Sequence, residues 1–200
     1  MKSTFVFLVT LLAGLGVLTP AAPRAAGTPS PSYHWVCVTP SAPFAPRDGA
    51  GALVYRGALW LLGGWNPHDK VHFPQICTND VWRSTDGATW TLVKPNTFGT
   101  DQFNPDTDWE GRHTAGYVVF QDKMWILGGD PLQGHYQSDV WNSEDGVTWN
   151  RVNPGQDVPW APRALHHTAV FNGRIWVMGG QTTPQFAPCL LYTSPSPRDS

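Results

Sequence analysis

Short apolar runs separated by turn residues occupy most of the chain, and the same order of runs occurs three times. Each unit begins with a run of small and apolar residues, makes a tight turn, and continues with a second apolar run that ends in a glycine pair. The three pairs end at Gly64, Gly129 and Gly180. Apolar runs this short, bounded by turn residues, are typical of β-strands rather than helices.

Two of the units continue with two more segments that each carry a tryptophan. The first segment is Asp-Val-Trp, at 80–82 and 139–141, and the second follows an Asp-Gly pair and carries Trp90 or Trp149. Asp-Gly strongly favours a tight turn. Each complete unit is therefore predicted to form four antiparallel strands, which we call a, b, c and d.

A unit of this size cannot bury its own apolar face, so the units must stack against one another. We predict two four-stranded blades at about residues 48–93 and 112–152 and a two-stranded partial blade at about 165–180. No helix longer than two turns is expected between Arg47 and Gly180.

A glycine pair that closes an apolar strand and is followed by a spaced tryptophan resembles the Kelch repeat, which has about 50 residues. The resemblance covers residues 35–180 and is to the secreted, galactose-oxidase-like Kelch superfamily. It implies an all-β, Kelch-type β-propeller over residues 33–188. Propellers have about 4 to 8 blades and the repeats supply about two and a half, so we predict an incomplete propeller, truncated at its C-terminal end.

Tryptophan usage and the first residues of the domain bear on this fold. The 11 tryptophans are expected to fill the wedges between blades, where large flat side chains are needed. Residues 35–40 resemble strand d alone. A lone strand d at this position is expected to complete a further blade and close the ring, which removes an exposed sheet edge.

Residues 1–27 resemble a secretory signal peptide. Lys2 precedes an apolar stretch at 5–18, which is short for a membrane span, and small residues follow it. We therefore predict a secreted or extracytoplasmic protein, periplasmic if the source is bacterial, without a membrane anchor. A retained anchor is the alternative.

The last twelve-residue segment, 189–200, breaks every pattern described above. It resembles the translation of a sequencing adapter, so we predict that it is a non-native tail without contacts to the blades. A genuine tail rich in serine and proline is the alternative.

Composition disfavours nucleic acid as a partner, and the sequence leaves a disulfide and a calcium site undecided. The formal net charge is −2 and no basic run occurs, which disfavours nucleic-acid binding. Cys37 and Cys77 would be able to form a disulfide in an exported protein, but their spacing does not decide whether they do. Residues 104–110 alternate oxygen ligands as the start of a calcium loop does, but the glycine and the last acid of that loop are missing. We expect a solvated loop there and no bound metal.

Binding is predicted at the rim that carries the b–c and d–a loops, because these loops vary between units whereas the a–b and c–d turns do not. This rim carries Arg47, Arg112 and Arg163, one at the start of each strand a. An arginine at this position either binds carboxylates and sulfates or braces one blade to the next through aspartates or backbone carbonyls. The other candidate ligand-binding residues on this rim are His113, His166, Trp65 and Asp130.

The resemblance implies a secreted binding module that recognises a carbohydrate or a protein through this rim. One alternative is a carbohydrate-active enzyme on the same scaffold, either a galactose-oxidase-like oxidase or a sialic-acid-type epimerase, which fold analogy alone supports. Another is a purely structural domain of a longer cell-surface protein. No residue matches the copper ligands of galactose oxidase, so we assign neither catalytic residues nor a cofactor.

Overall fold

The structure is a computed structural model that describes residues 34–132 and 134–182 and the backbone of a strand at 191–193. The chain divides into the units Met1–Val36 and Cys37–Ser200. Of the first unit only residues 34–36 are described, and they form neither helix nor strand. The predicted signal peptide lies outside the described residues.

The second unit consists of antiparallel sheets whose strands follow one another in chain order. The first blade contains β1 (Gly51–Tyr55), β2 (Ala58–Trp65), β3 (Cys77–Ser84) and β4 (Thr91–Lys94). The second contains β5 (Gly116–Phe120), β6 (Lys123–Gly129), β7 (Gln137–Ser143) and β8 (Asn150–Asn153). The third contains β9 (His167–Phe171), β10 (Arg174–Met178) and β11 (Leu191–Thr193). The described residues contain no helix, so the predicted all-β fold with four-stranded blades is confirmed.

Two strand predictions are wrong. The third blade has three strands rather than two, because β11 pairs with β10 with Met178 opposite Leu191. The predicted tail therefore contacts a blade, since the edge of β10 offers unpaired N–H and C=O groups that an extended segment of any origin satisfies. Its adapter origin stays a prediction.

The strand predicted at residues 35–40 is not formed. A strand d pairs only with a strand c. The c strands of the two complete blades, β3 and β7, already pair with β4 and β8.

Large apolar side chains fill the spaces between neighbouring blades, as the tryptophan content predicts. Between the first and second blades, Trp109 is completely buried and its ring meets that of Trp149 edge to face, with centroids 5.7 Å apart. The buried residues that pack there are Tyr55, Ala58, Trp60, Leu62, Val81, Trp109, Met124, Ile126, Trp141 and Trp149. Those between the second and third blades are Val118, Trp125, Leu127, Val140, Trp160, Ile175 and Val177.

The a–b and c–d turns meet at one rim, which we call the turn rim. The Tyr55 hydroxyl donates to the carbonyl oxygens of Asp122 (2.6 Å) and Glu144 (3.1 Å), which joins a turn of the first blade to both turns of the second. Within the c–d turn of the second blade, Asp145 Oδ1 accepts bonds from the backbone N–H groups of Val147 and Thr148, at 2.8 Å each. These bonds repeat at Asp86, whose pKa they lower to about 2. The turn rim is therefore fixed by bonds that its repeated residues make locally.

Candidate functional site

The three arginines at the starts of the a strands make structural contacts. Arg112 is completely buried, and its guanidinium donates to both carboxylate oxygens of Asp139 (2.5 and 3.1 Å) and to the Gly128 carbonyl (2.9 Å). Arg47 repeats this arrangement with Asp80 (2.6 and 3.0 Å). Arg163 donates to the equivalent carbonyl, that of Gly179.

The same aspartates explain the repeated Asp-Val-Trp segment. The indole N–H groups of Trp82 and Trp141 donate to Asp80 and Asp139, at 2.7 Å each. Burial opposes ionisation of Asp139, but Arg112 and the indole outweigh it and hold its pKa below the ordinary value. Arg47 and Arg112 therefore join strand a to strand c within their own blades, so they brace each blade internally rather than blade to blade as predicted.

The glycine pairs connect each blade to the next. Gly63 and Gly128 have φ values of 58° and 57°, and the following N–H groups, of Gly64 and Gly129, donate to backbone oxygens of the next blade at 2.9 Å. A Cβ placed on Gly63 would lie 3.0 Å from the Arg112 oxygen. Glycine is required there both for its left-handed backbone and for the close approach.

The residue after each glycine pair forms a backbone bridge with the residue after each arginine. The bridged pairs are Asp48 with Trp65, His113 with Asp130, and Ala164 with Gln181. Neighbouring blades are joined beside these pairs, because the Thr114 N–H donates to the Gly49 oxygen (2.8 Å) and the Leu165 N–H to the Thr114 oxygen (2.9 Å). The three pairs therefore lie next to one another at the rim that carries the b–c and d–a loops, which we call the loop rim.

A cavity of about 350 Å³ opens among these pairs. Five of the six paired residues line it, so the structure brings together Trp65, His113 and Asp130 from the predicted set. Its other walls are formed by Phe73, Pro74, Cys77, Leu132, Tyr136 and Leu165. None of the lining residues is a lysine or an arginine, whereas Asp48 and Asp130 are carboxylates.

The paired positions were accessible to sequence reasoning, since each lies at a fixed offset from a repeated arginine or glycine pair. Asp48 was missed even though it is the equivalent of His113. Phe73 and Tyr136 lie in b–c loops that do not repeat, so no pattern indicated them.

Asp130 is the buried carboxylate of the cavity wall. Only 6% of its surface is exposed, and its Oδ1 atom has no hydrogen-bond partner. Burial raises the pKa of this carboxyl, against the opposing effect of His113. The Trp65 ring lies beside the His113 ring, with centroids 6.1 Å apart and planes at 30°.

Cys77 and His113 do not form an activated nucleophile. The Cys77 Sγ atom is 3.6 Å from His113 Nδ1 and donates at 3.5 Å to the Asp130 carbonyl, which also lies 2.9 Å from His113 Nδ1. Burial raises the pKa of Cys77 to about 12, so it is a protonated thiol at neutral pH. Both Cys77 and the exposed Cys37 are free, so the disulfide is not formed in the structure.

His166 lies away from the cavity, although it was grouped with the loop-rim candidates. It is buried, and burial lowers its pKa to about 4 against the opposing effect of a Leu127 backbone group. A Cβ placed on Gly116 would lie 2.8 Å from its Nε2 atom. His166 therefore fills the space between the second and third blades.

The loop with calcium-like spacing is held by protein groups. Asp108 pairs with the buried Lys94 at 2.9 Å and accepts hydrogen bonds from Asn79 and Thr97. Within the described residues, no group of three or more His, Cys, Asp or Glu side chains is arranged to hold a metal ion. No helix in that part of the chain is long and apolar enough to cross a membrane.

The comparisons with known proteins agree with this architecture. No protein-family model matches the chain. Over 141 residues it is 28% identical to β-scruin of Limulus polyphemus, a Kelch-repeat protein, and the match covers 69% of this chain and 14% of β-scruin. The stacked four-stranded sheets, together with this similarity to a Kelch-repeat protein, are consistent with an incomplete β-propeller.

Proposed function

We propose that the chain is an exported binding module whose loop-rim cavity holds a carbohydrate. The observation that carries this proposal is the combination of aromatic and polar walls in one concavity. Trp65 and Tyr136 offer aromatic surface to the C–H face of a sugar ring, and Asp48, Asp130 and Gln181 offer oxygen acceptors to its hydroxyl groups. The volume of about 350 Å³ falls within the usual range for small-molecule sites.

The competing functions have weaker support. A protein partner generally needs a surface of about 800 Å² on each side, whereas the distinctive feature of this rim is a small concavity. An oxidase or epimerase has only fold analogy behind it, and the protonated Cys77 thiol supplies no nucleophile. Export is proposed from the signal-like residues 1–27 alone.

Isothermal titration of the chain with a panel of monosaccharides tests the proposal. We expect at least one sugar to bind and the Trp65→Ala variant to lose most of that affinity, since stacking on the indole is removed. Trp35→Ala is the matched control, because Trp35 is 97% exposed and does not line the cavity. No binding by any sugar, or equal losses in the two variants, would refute the proposal.

A further inference from the structure

We propose that the sugar bound in this cavity carries a primary amine, which the Asp130 carboxylate holds and the Asp48 carboxylate attracts. This inference rests on the proposed carbohydrate-binding function and specifies the class of sugar. An amino sugar presents an ammonium group at a position where a neutral sugar has a hydroxyl.

Asp130 differs from the other buried aspartates in having no cationic partner. The described residues contain four: Asp80, Asp108, Asp130 and Asp139. Three of them pair with a cation, namely with Arg47, Lys94 and Arg112. Asp130 has no such partner, and its Oδ1 atom also lacks a hydrogen bond. Burying a carboxylate without a cation is unfavourable, so a cationic ligand would supply the partner that the protein does not.

The cavity wall is acidic. Asp48 is a second carboxylate, and no lysine or arginine lines the wall. Arg112, which lies behind this wall, is neutralised by Asp139. An acidic sugar would therefore be repelled, and a neutral sugar would leave Asp130 without a counter-charge.

The distribution of polar groups favours an amino sugar over an amine on a simple chain. Gln181 and Asp48 come from different blades than Asp130, so acceptors lie on several sides of the cavity. A lysine side chain has one polar group and would satisfy one of them. A hexosamine has hydroxyl groups for the remainder, and its C–H face can stack on Trp65.

Titrating the chain with glucosamine and glucose tests the inference, because these sugars differ only in an amine in place of a hydroxyl. N-acetylglucosamine, in which the nitrogen belongs to a neutral amide, is the third ligand. We expect glucosamine to bind at least about tenfold more tightly than either, as for a charge-assisted hydrogen bond. The Asp130→Asn variant should bind glucosamine and glucose equally. The Asp145→Asn control on the turn rim should keep the preference.

The outcomes separate this inference from the proposed function. Equal affinity for the three sugars would refute the amine and leave carbohydrate binding intact, whereas no binding would refute both. A lysine amide that binds as tightly as glucosamine would show that the amine alone is recognised, which refutes the sugar. If the Asp130→Asn variant does not melt cooperatively, the Asp48→Asn variant tests the preference for the amine instead, because Asp48 is exposed. Its preference for glucosamine should fall about threefold, and an unchanged preference would overturn the proposal.

Discussion

The contacts between arginines and glycine pairs and the cavity lie at neighbouring positions of the same three blades, but only the residues of the arginine–glycine contacts are repeated in each blade. Each blade has an arginine at the start of strand a and a glycine pair at the end of strand b, and in each blade the arginine donates to the carbonyl of the first glycine of the pair. The residues that directly follow them differ from blade to blade. They are Asp48, His113 and Ala164 after the arginines, and Trp65, Asp130 and Gln181 after the glycine pairs.

This difference has a physical cause. The arginine and glycine positions need one particular side chain, because the contact is a guanidinium fork or a space without a Cβ. The adjacent positions are held by bridges between backbone groups, at 2.8 to 3.1 Å, which do not depend on the side chain. Repetition therefore marks the scaffold, and divergence at bridged positions marks the surface that is free to acquire ligand chemistry.

Removing the buried Arg112 side chain should cause the largest loss of stability. Arg112→Ala leaves Asp139 buried without its cation, so we expect the free energy of unfolding to fall by about 3–5 kcal/mol. Urea denaturation followed by tryptophan fluorescence measures this loss. Arg56→Ala is the control, because its pair with Asp122 is exposed and screened by solvent. Equal stability of the two variants would show that the buried fork does not hold the blade.

The second prediction concerns His166, which takes the place of Ala50 and Ala115 in the other blades. Its folded-state pKa is about 4 and its ordinary value is 6.5, so the unfolded chain gains the proton first as the pH falls. The contribution of neutral His166 is complete above pH 6.5 and is lost between pH 6.5 and 4. The loss should amount to about 3 kcal/mol.

Denaturation at a series of pH values measures this acid dependence in the chain and in His166→Ala. The variant should have a flatter profile below pH 6.5, whatever its stability at neutral pH. Profiles of the same slope would mean that the buried imidazole is not the group that titrates.

Sequence reasoning succeeded where a contact is local or repeated. Alternating apolar runs and Asp-Gly turns define strands within a single unit, and the glycine pairs align the units. It failed at β11 and at residues 35–40, because strand pairing depends on which sheet edge is free rather than on the pairing segment. The burial of His166 was not predicted, because the space opposite Gly116 that it fills lies between the second and third blades.

The functions of the arginines were left open for a related reason. An arginine at the start of a strand has the same sequence signature whether its fork meets a ligand or an aspartate. Only the register of β6 with β7, which places Asp139 beside Arg112, distinguishes the two.

A smaller loss of stability is expected from a substitution on the turn rim. Asp145→Ala removes the acceptor of two backbone N–H groups in an exposed turn, so the free energy of unfolding should fall by about 1 kcal/mol. Asp145→Asn retains an acceptor oxygen and should lose less. Thermal melting of both variants measures the difference. A loss of sugar affinity in either variant would contradict the assignment of the turn rim to structure alone.

The smallest effect on stability should come from the cavity itself. Trp65 is held by a backbone bridge and is only partly buried, so Trp65→Ala should change the free energy of unfolding by less than about 1 kcal/mol. Trp125→Ala is the contrasting variant, because its ring is buried between blades and its loss should cost about 3–5 kcal/mol. Urea denaturation and sugar titration of both variants test the comparison directly.

If the cavity is a surface that the scaffold does not need, Trp65→Ala keeps its stability and loses its ligand. A large loss of stability in Trp65→Ala would instead make Trp65 part of the scaffold, and the divergence between blades at that position would no longer indicate a binding site.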